Sequence, residues 1–154
     1  VIKVSEYISN GLSEDEIVFE NQLYRKIYDE YFTLPQQCSD NPEADQDVVI
    51  RHFINHPDQA VSNVMLNILY EDHPITVKVY IESMVPEDQL LGKNVPKSLL
   101  RYKLKLTELE CNRITKEIEA ADNGENSDIQ QVLIKNLMLL NKVKNALSKE
   151  INRI

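Results

Sequence analysis

Apolar residues recur at helical spacing over most of the chain. Leu23, Ile27 and Tyr31, with Tyr24 and Tyr28 beside them, form a stripe that predicts a helix starting near Asn21. Thr33-Leu34-Pro35 ends it, and residues 35–44, with Pro35, Pro42, Ser39, Asp40 and Asn41, read as a loop. Val48, Val49, His52 and Phe53 mark the next helix, capped by Asp45 or Asp47 and broken at His56-Pro57. Pro57 suits the first turn of a helix carrying Ala60, Val61, Val64, Met65, Ile68 and Leu69. Ahead of these, residues 3–10 predict a short helix stopped by Asn10-Gly11, and Ser13 to Glu16 has the spacing of a capping box.

The strongest pattern follows Pro96. Residues 97–121 contain no Gly or Pro, and Leu100, Leu104, Thr107, Cys111, Ile114, Ile118 and Ala121 repeat at alternating steps of four and three. Leu99, Tyr102, Leu106 and Leu109 make a second stripe on the same helix. Asp122-Asn123-Gly124 stops it, and Ser127 to Gln130 is a capping box for a last helix. The seam of that helix is Ile129, Leu133, Leu137, Leu140, Val143, Leu147, Ile151 and Ile154. So short a link between two helices predicts an antiparallel hairpin with arms of about 36 Å each.

One segment conflicts with this picture. Ile75, Val77, Val79 and Ile81 alternate as a strand would. No second strand is evident to pair with it, and a lone strand leaves its backbone hydrogen bonds unmade. The segment is therefore assigned as helix against its propensity. The expected fold is all-α: a small helical bundle over residues 1–95, then a long helix and C-terminal antiparallel hairpin over 96–154.

Composition narrows the function. The chain has 154 residues, 42% of them hydrophobic and 27% charged, which is enough to build a core without disulfides or metal. A formal net charge of −8 disfavours direct binding to nucleic acid, and the basic stretch Lys97, Arg101, Lys103, Lys105 reads as a solvated helix face. Cys38 and Cys111 differ in setting, so no disulfide is expected and a cytoplasmic location fits. No run of 18 apolar residues argues for a membrane span. A chain beginning at Val1 and ending inside a helical pattern at Ile154 reads as a segment of a longer protein.

Candidate chemistry is sparse. His52 and His56 have the i, i+4 spacing of zinc hydrolases, but Phe53 stands where those need Glu, and no third ligand is evident. Packing at a helix end explains the pair. Asp45-Gln46-Asp47 has carboxylate-pair spacing, yet capping accounts for it. Glu14-Asp15-Glu16 suits a helix N-terminus or a solvated turn. Tyr24, Tyr28 and Tyr31 read as packing residues. There is no phosphate-binding loop, no Cys-x-x-Cys and no nucleophile with a base. Neither a catalytic site, a cofactor nor a metal is expected.

One feature exceeds structural need. Seven of the nine residues Val132–Leu140 are apolar, whereas a hairpin requires only its seam. Ile134 and Met138 adjoin at i, i+4 off that seam. Ile134, Met138 and Leu139 are therefore the expected partner-binding residues, the competing reading being that the N-terminal bundle covers them.

This layout resembles the C-terminal domain of DnaG-type bacterial primases. The segments Val4-Ser5-Glu6-Tyr7-Ile8, Phe19-Glu20-Asn21-Gln22-Leu23-Tyr24 and Ile27-Tyr28-Asp29-Glu30 resemble the start of that domain in Bacteroidetes-type members, which often have Pro where Gln22 stands. Phe53-Ile54-Asn55-His56 before Asp58, and Val95-Pro96 ahead of the long helix, fit the same pattern. The resemblance implies a non-catalytic domain that docks the primase on the N-terminal domains of the hexameric DnaB-type replicative helicase, largely through the hairpin. The zinc-binding and polymerising domains of such primases lie upstream, and a helix before Val1 is expected. Two other classes stay open: an unrelated helical adaptor or oligomerisation domain, and a helical nucleic-acid-binding module.

Overall fold

A computed structural model describes residues 3–34, 42–70, 87–121 and 127–153. Among them the fold is all-helical, with six helices: α1 (Val4–Glu14), α2 (Gln22–Thr33), α3 (Pro42–Ile54), α4 (Gln59–Tyr70), α5 (Glu87–Ala121) and α6 (Ser127–Ile151). The alternating segment Ile75–Ile81, the loop containing Cys38 and the turn at Asp122-Asn123-Gly124 lie outside the described residues.

The chain forms two compact units. One comprises Val1–Gly11 with Ser83–Ile154, the other Leu12–Glu82. α1 thus gives its first two turns to one unit and its last turn to the other.

The end of α1 departs from the sequence reading. Asn10-Gly11 does not stop the helix, and Ser13 to Glu16 is not a capping box. These residues instead close α1. The Ile17 N–H donates to the Leu12 carbonyl (2.9 Å) and the Glu16 N–H to the Ser13 carbonyl (3.2 Å), while Glu16 takes a φ of 54°. This is a Schellman ending, with a glutamate in the left-handed position that glycine usually fills. Gly11 meanwhile lies within the helix.

In the Leu12–Glu82 unit, α2 starts where its pattern predicts. Asn21 is the N-cap, its side chain accepting from the Leu23 N–H at 2.9 Å and the Tyr24 N–H at 3.4 Å, and Leu34 is the C-cap. Tyr28 packs between Phe19 (centroids 5.3 Å) and Phe32 (4.9 Å), and Phe32 also meets Tyr31 edge-on. α3 begins at Pro42, three residues before Asp45 and five before Asp47, so the helix start lies ahead of both. Proline at a helix start loses no hydrogen bond, because its missing N–H would be an orphan there. α4 packs on both α3 and α2. Phe53 and Val61 are the largest fully buried side chains among the described residues. Burying a side chain of this size contributes about 1.5–3 kcal/mol.

In the other unit α5 and α6 pack against each other, and the short link at residues 122–126 makes them an antiparallel hairpin. The arms are unequal, at 35 and 25 residues, because α5 continues back through Pro96 to Glu87. Proline has no N–H to give the Gly92 carbonyl, one turn earlier, so α5 lacks that hydrogen bond. The heptad seam of α5 behaves as its spacing predicts. Cys111 and Ile114 are buried, and Leu100, Leu104, Thr107, Ile118 and Ala121 are half-buried. Cys111 is a free thiol. On the second stripe Leu99, Tyr102 and Leu106 are half-buried, whereas Leu109 is exposed.

Candidate interaction surface on the C-terminal hairpin

The buried side of α6 is defined by Leu133, Leu137, Leu140, Leu147 and Ile151, all half-buried. At about 100° per residue these five lie within about 80° of one another around the helix. Two residues assigned to the seam leave it: Ile129 is 54% exposed and Val143 49%. Val143 sits about 80° from the centre of the buried arc, because a strict heptad assignment drifts against the 3.6-residue turn. Ile154 lies outside the described residues.

Ile134, Met138 and Leu139 are exposed by 44%, 62% and 59%. They do not form one patch. Ile134 and Met138 stand one turn apart on one flank of the buried arc. Leu139 points about 100° away from Met138, toward the opposite flank. There it aligns with Val132, 56% exposed, and with Val143. α6 thus presents two exposed apolar flanks. Neither Val132 nor Val143 is among the expected partner-binding residues, Val143 because the heptad spacing assigns it to the seam. The signal was available in the spacing of 132, 139 and 143.

The polar neighbourhood of α5 contrasts with that of α6. On α5, Arg113 pairs with both Glu110 and Glu117, one turn to each side. Its hydrogen bond to the Glu110 carboxylate holds that group below the usual glutamate range and raises the guanidinium above its own. On α6, Lys135, Lys142 and Lys149 are exposed and, among the described residues, no carboxylate pairs with them.

The second polar cluster lies at the α2–α4 corner. The His56 side chain is 7% exposed, with Nε2 at 3.1 Å from Glu30 Oε2. Its Nδ1 accepts from the Asp58 N–H at 3.0 Å, which leaves Nε2 to carry the proton toward Glu30. The contact is short, but Glu30 Oε2 has no hydrogen-bond partner among the described residues. Asp58 Oδ1 accepts from the Ala60 N–H at 3.0 Å, capping α4, and Oδ2 accepts from Lys26 Nζ at 2.8 Å. The Lys26 hydrogen bond lowers the Asp58 pKa below, and raises the Lys26 pKa above, their ordinary values. His52 and His56 do not share a helix face, since α3 ends at Ile54. Their rings meet edge-on at 6.1 Å, and His52 is exposed. This corner holds α2 to the start of α4, and no group of three or more His, Cys, Asp and Glu among the described residues is placed to hold a metal.

The sequence profile described as "Domain of unknown function (DUF8430)" matches residues 1–154. The chain belongs to this family. No curated protein and no solved structure matches it. Membership therefore covers the whole chain, both units included, and carries no activity with it. Among the described residues no helix of this family member is long and apolar enough to cross a membrane.

Proposed function

We propose that this domain is a non-catalytic docking module of a bacterial DnaG-type primase, acting in the cytoplasm to seat the enzyme on the N-terminal domains of the DnaB-type replicative helicase. The observation that carries the reading is the apolar surface of α6 beyond its seam: Ile134 and Met138 on one flank, Val132, Leu139 and Val143 on the other, all exposed. Such surface is unfavourable in water and characteristic of an interaction site. The resemblance of residues 4–8, 19–24, 27–30, 53–56 and 95–96 to the primase C-terminal domain names the partner. In this role the segment needs no cofactor or metal and makes no primers. Priming chemistry would belong to other domains.

The test is co-elution of the 154-residue domain with the helicase N-terminal domain from the same organism. A stable complex that weakens when Ile134 and Met138 are both changed to Ser supports the reading. A domain that ignores the helicase but forms a dimer through the same residues would instead be a helical adaptor or oligomerisation domain, as the exposed flanks equally permit.

A further inference from the structure

The exposed side of α6 carries a charge pattern as regular as its apolar one. Lys135, Lys142 and Lys149 recur at intervals of seven and are all exposed. At about 100° per residue they occupy one row, between the Ile134–Met138 flank and the Val132–Leu139 flank. α6 holds four lysines against Asp128 and Glu150, in a chain whose formal net charge is −8.

Ordinary solvated helices intersperse opposite charges at i±3 and i±4, as Glu110, Arg113 and Glu117 do on α5. The lysine row has no such neighbours. The positions three and four residues away are Gln131, Val132, Met138 and Leu139 for Lys135; Met138, Leu139, Asn145 and Ala146 for Lys142; and Asn145, Ala146, Asn152 and Arg153 for Lys149. Three cations set among apolar, amide and, at Arg153, basic side chains gain no opposite charge from these neighbours. Their spacing matches one side of a helix–helix contact, where charges bordering an apolar seam select the partner.

We infer that α6 receives an acidic amphipathic helix of a partner protein, whose apolar stripe packs on Ile134 and Met138 while its flanking carboxylates face Lys135, Lys142 and Lys149. This deepens the docking role proposed above and rests on that reading for the partner's identity. The charge chemistry itself stands on the lysine row. The lysines contribute selectivity and speed of encounter, and the apolar residues contribute most of the affinity.

The experiment compares the intact 154-residue domain with Lys135→Glu/Lys142→Glu/Lys149→Glu and Lys135→Arg/Lys142→Arg/Lys149→Arg variants, all checked for native helicity. The probes are the helicase N-terminal domain and a synthetic helix with a leucine stripe flanked by glutamates. The same helix with lysine flanks, a single-stranded oligonucleotide and anionic phospholipid vesicles complete the set. The acidic helix is expected to bind the native and Arg forms, to lose roughly tenfold or more in affinity to the Glu form, and to weaken as salt rises; the lysine-flanked helix should not bind. If the acidic helix behaves so but the helicase domain binds no form, the helicase reading falls and this inference stands. If the helicase domain binds native and Glu forms alike and the acidic helix has no advantage over its basic counterpart, this inference is overturned while the docking role survives. Stronger lysine-dependent binding to the oligonucleotide or the vesicles than to the acidic helix overturns it in favour of a phosphate-bearing ligand.

Discussion

Gly11 lies against Leu99: a Cβ built on Gly11 would stand 2.5 Å from Leu99 Cδ2. This contact lets α1 approach α5 at a point where any other residue would push the leucine aside. Glycine inside a helix is unfavourable by roughly 0.5–1 kcal/mol relative to alanine. Close packing is the reason it is tolerated here.

The contact predicts a coupled pair. Gly11→Ala alone should be neutral or mildly destabilising, because its helix propensity gain is offset by displacement of Leu99. In a Leu99→Ala background the same change should stabilise by about 0.5–1 kcal/mol. Chemical denaturation of the four proteins of the cycle measures this. Equal effects of Gly11→Ala in both backgrounds would remove the packing explanation.

Glu16 closes α1 in the left-handed region, φ 54°. That conformation is strained for a residue with a Cβ, by roughly 1–2 kcal/mol. Glu16→Gly should therefore raise stability by about 0.5–1 kcal/mol after glycine's extra unfolded-state entropy is subtracted. An unchanged or lower denaturation midpoint would count against the Schellman ending.

The Lys26–Asp58 pair predicts how stability follows pH. The folded Asp58 carboxyl titrates below its ordinary value, chiefly through the Lys26 hydrogen bond. Its contribution is fully present above the unfolded value, about 3.9, and is lost as pH falls through the lower folded value. The raised Lys26 pKa acts at the other end. Its contribution is present below the unfolded value, about 10.4, and is lost as pH rises through the higher folded value. Asp58→Asn keeps a capping oxygen for Ala60 but removes the charge pair. Melting temperatures followed from neutral to acid pH should fall less steeply for this variant than for the native chain.

The hairpin predicts that stability and binding separate. Ile134→Ser with Met138→Ser should leave stability within about 0.5 kcal/mol, since both side chains are already exposed. Helicase binding should fall at least roughly tenfold, because such anchors dominate a modest interface. Leu133→Ala or Leu140→Ala should instead destabilise by roughly 1–3 kcal/mol, from loss of half-buried contact within the hairpin. Thermal melts alongside pull-down measurements distinguish the two classes. A double Ser variant that binds normally would move the interface elsewhere.

What the sequence determined by itself is what local periodicity and capping chemistry can encode. The heptads of α5 and α6 announce two helices that must pack on each other, and the buried Cys111 and Ile114 lie on the stripe their spacing defines. Asn21 supplies its own oxygen to the first turn of α2, so that start needs no distant partner. Tertiary structure decided the rest, because other segments changed the balance of local preferences. Gly11 reads as a helix stop, yet α1 runs through it, and Leu99 occupies the space a side chain there would take. Glu16 reads as part of a capping box, yet it takes the left-handed turn that closes α1. Pro96 reads as a helix start, yet α5 runs through it from Glu87. The apolar run Val132–Leu140 told that α6 has more hydrophobic surface than a seam requires. Which of those residues remain in water depends on the rotation of α6 against α5, and only the packed hairpin sets that rotation.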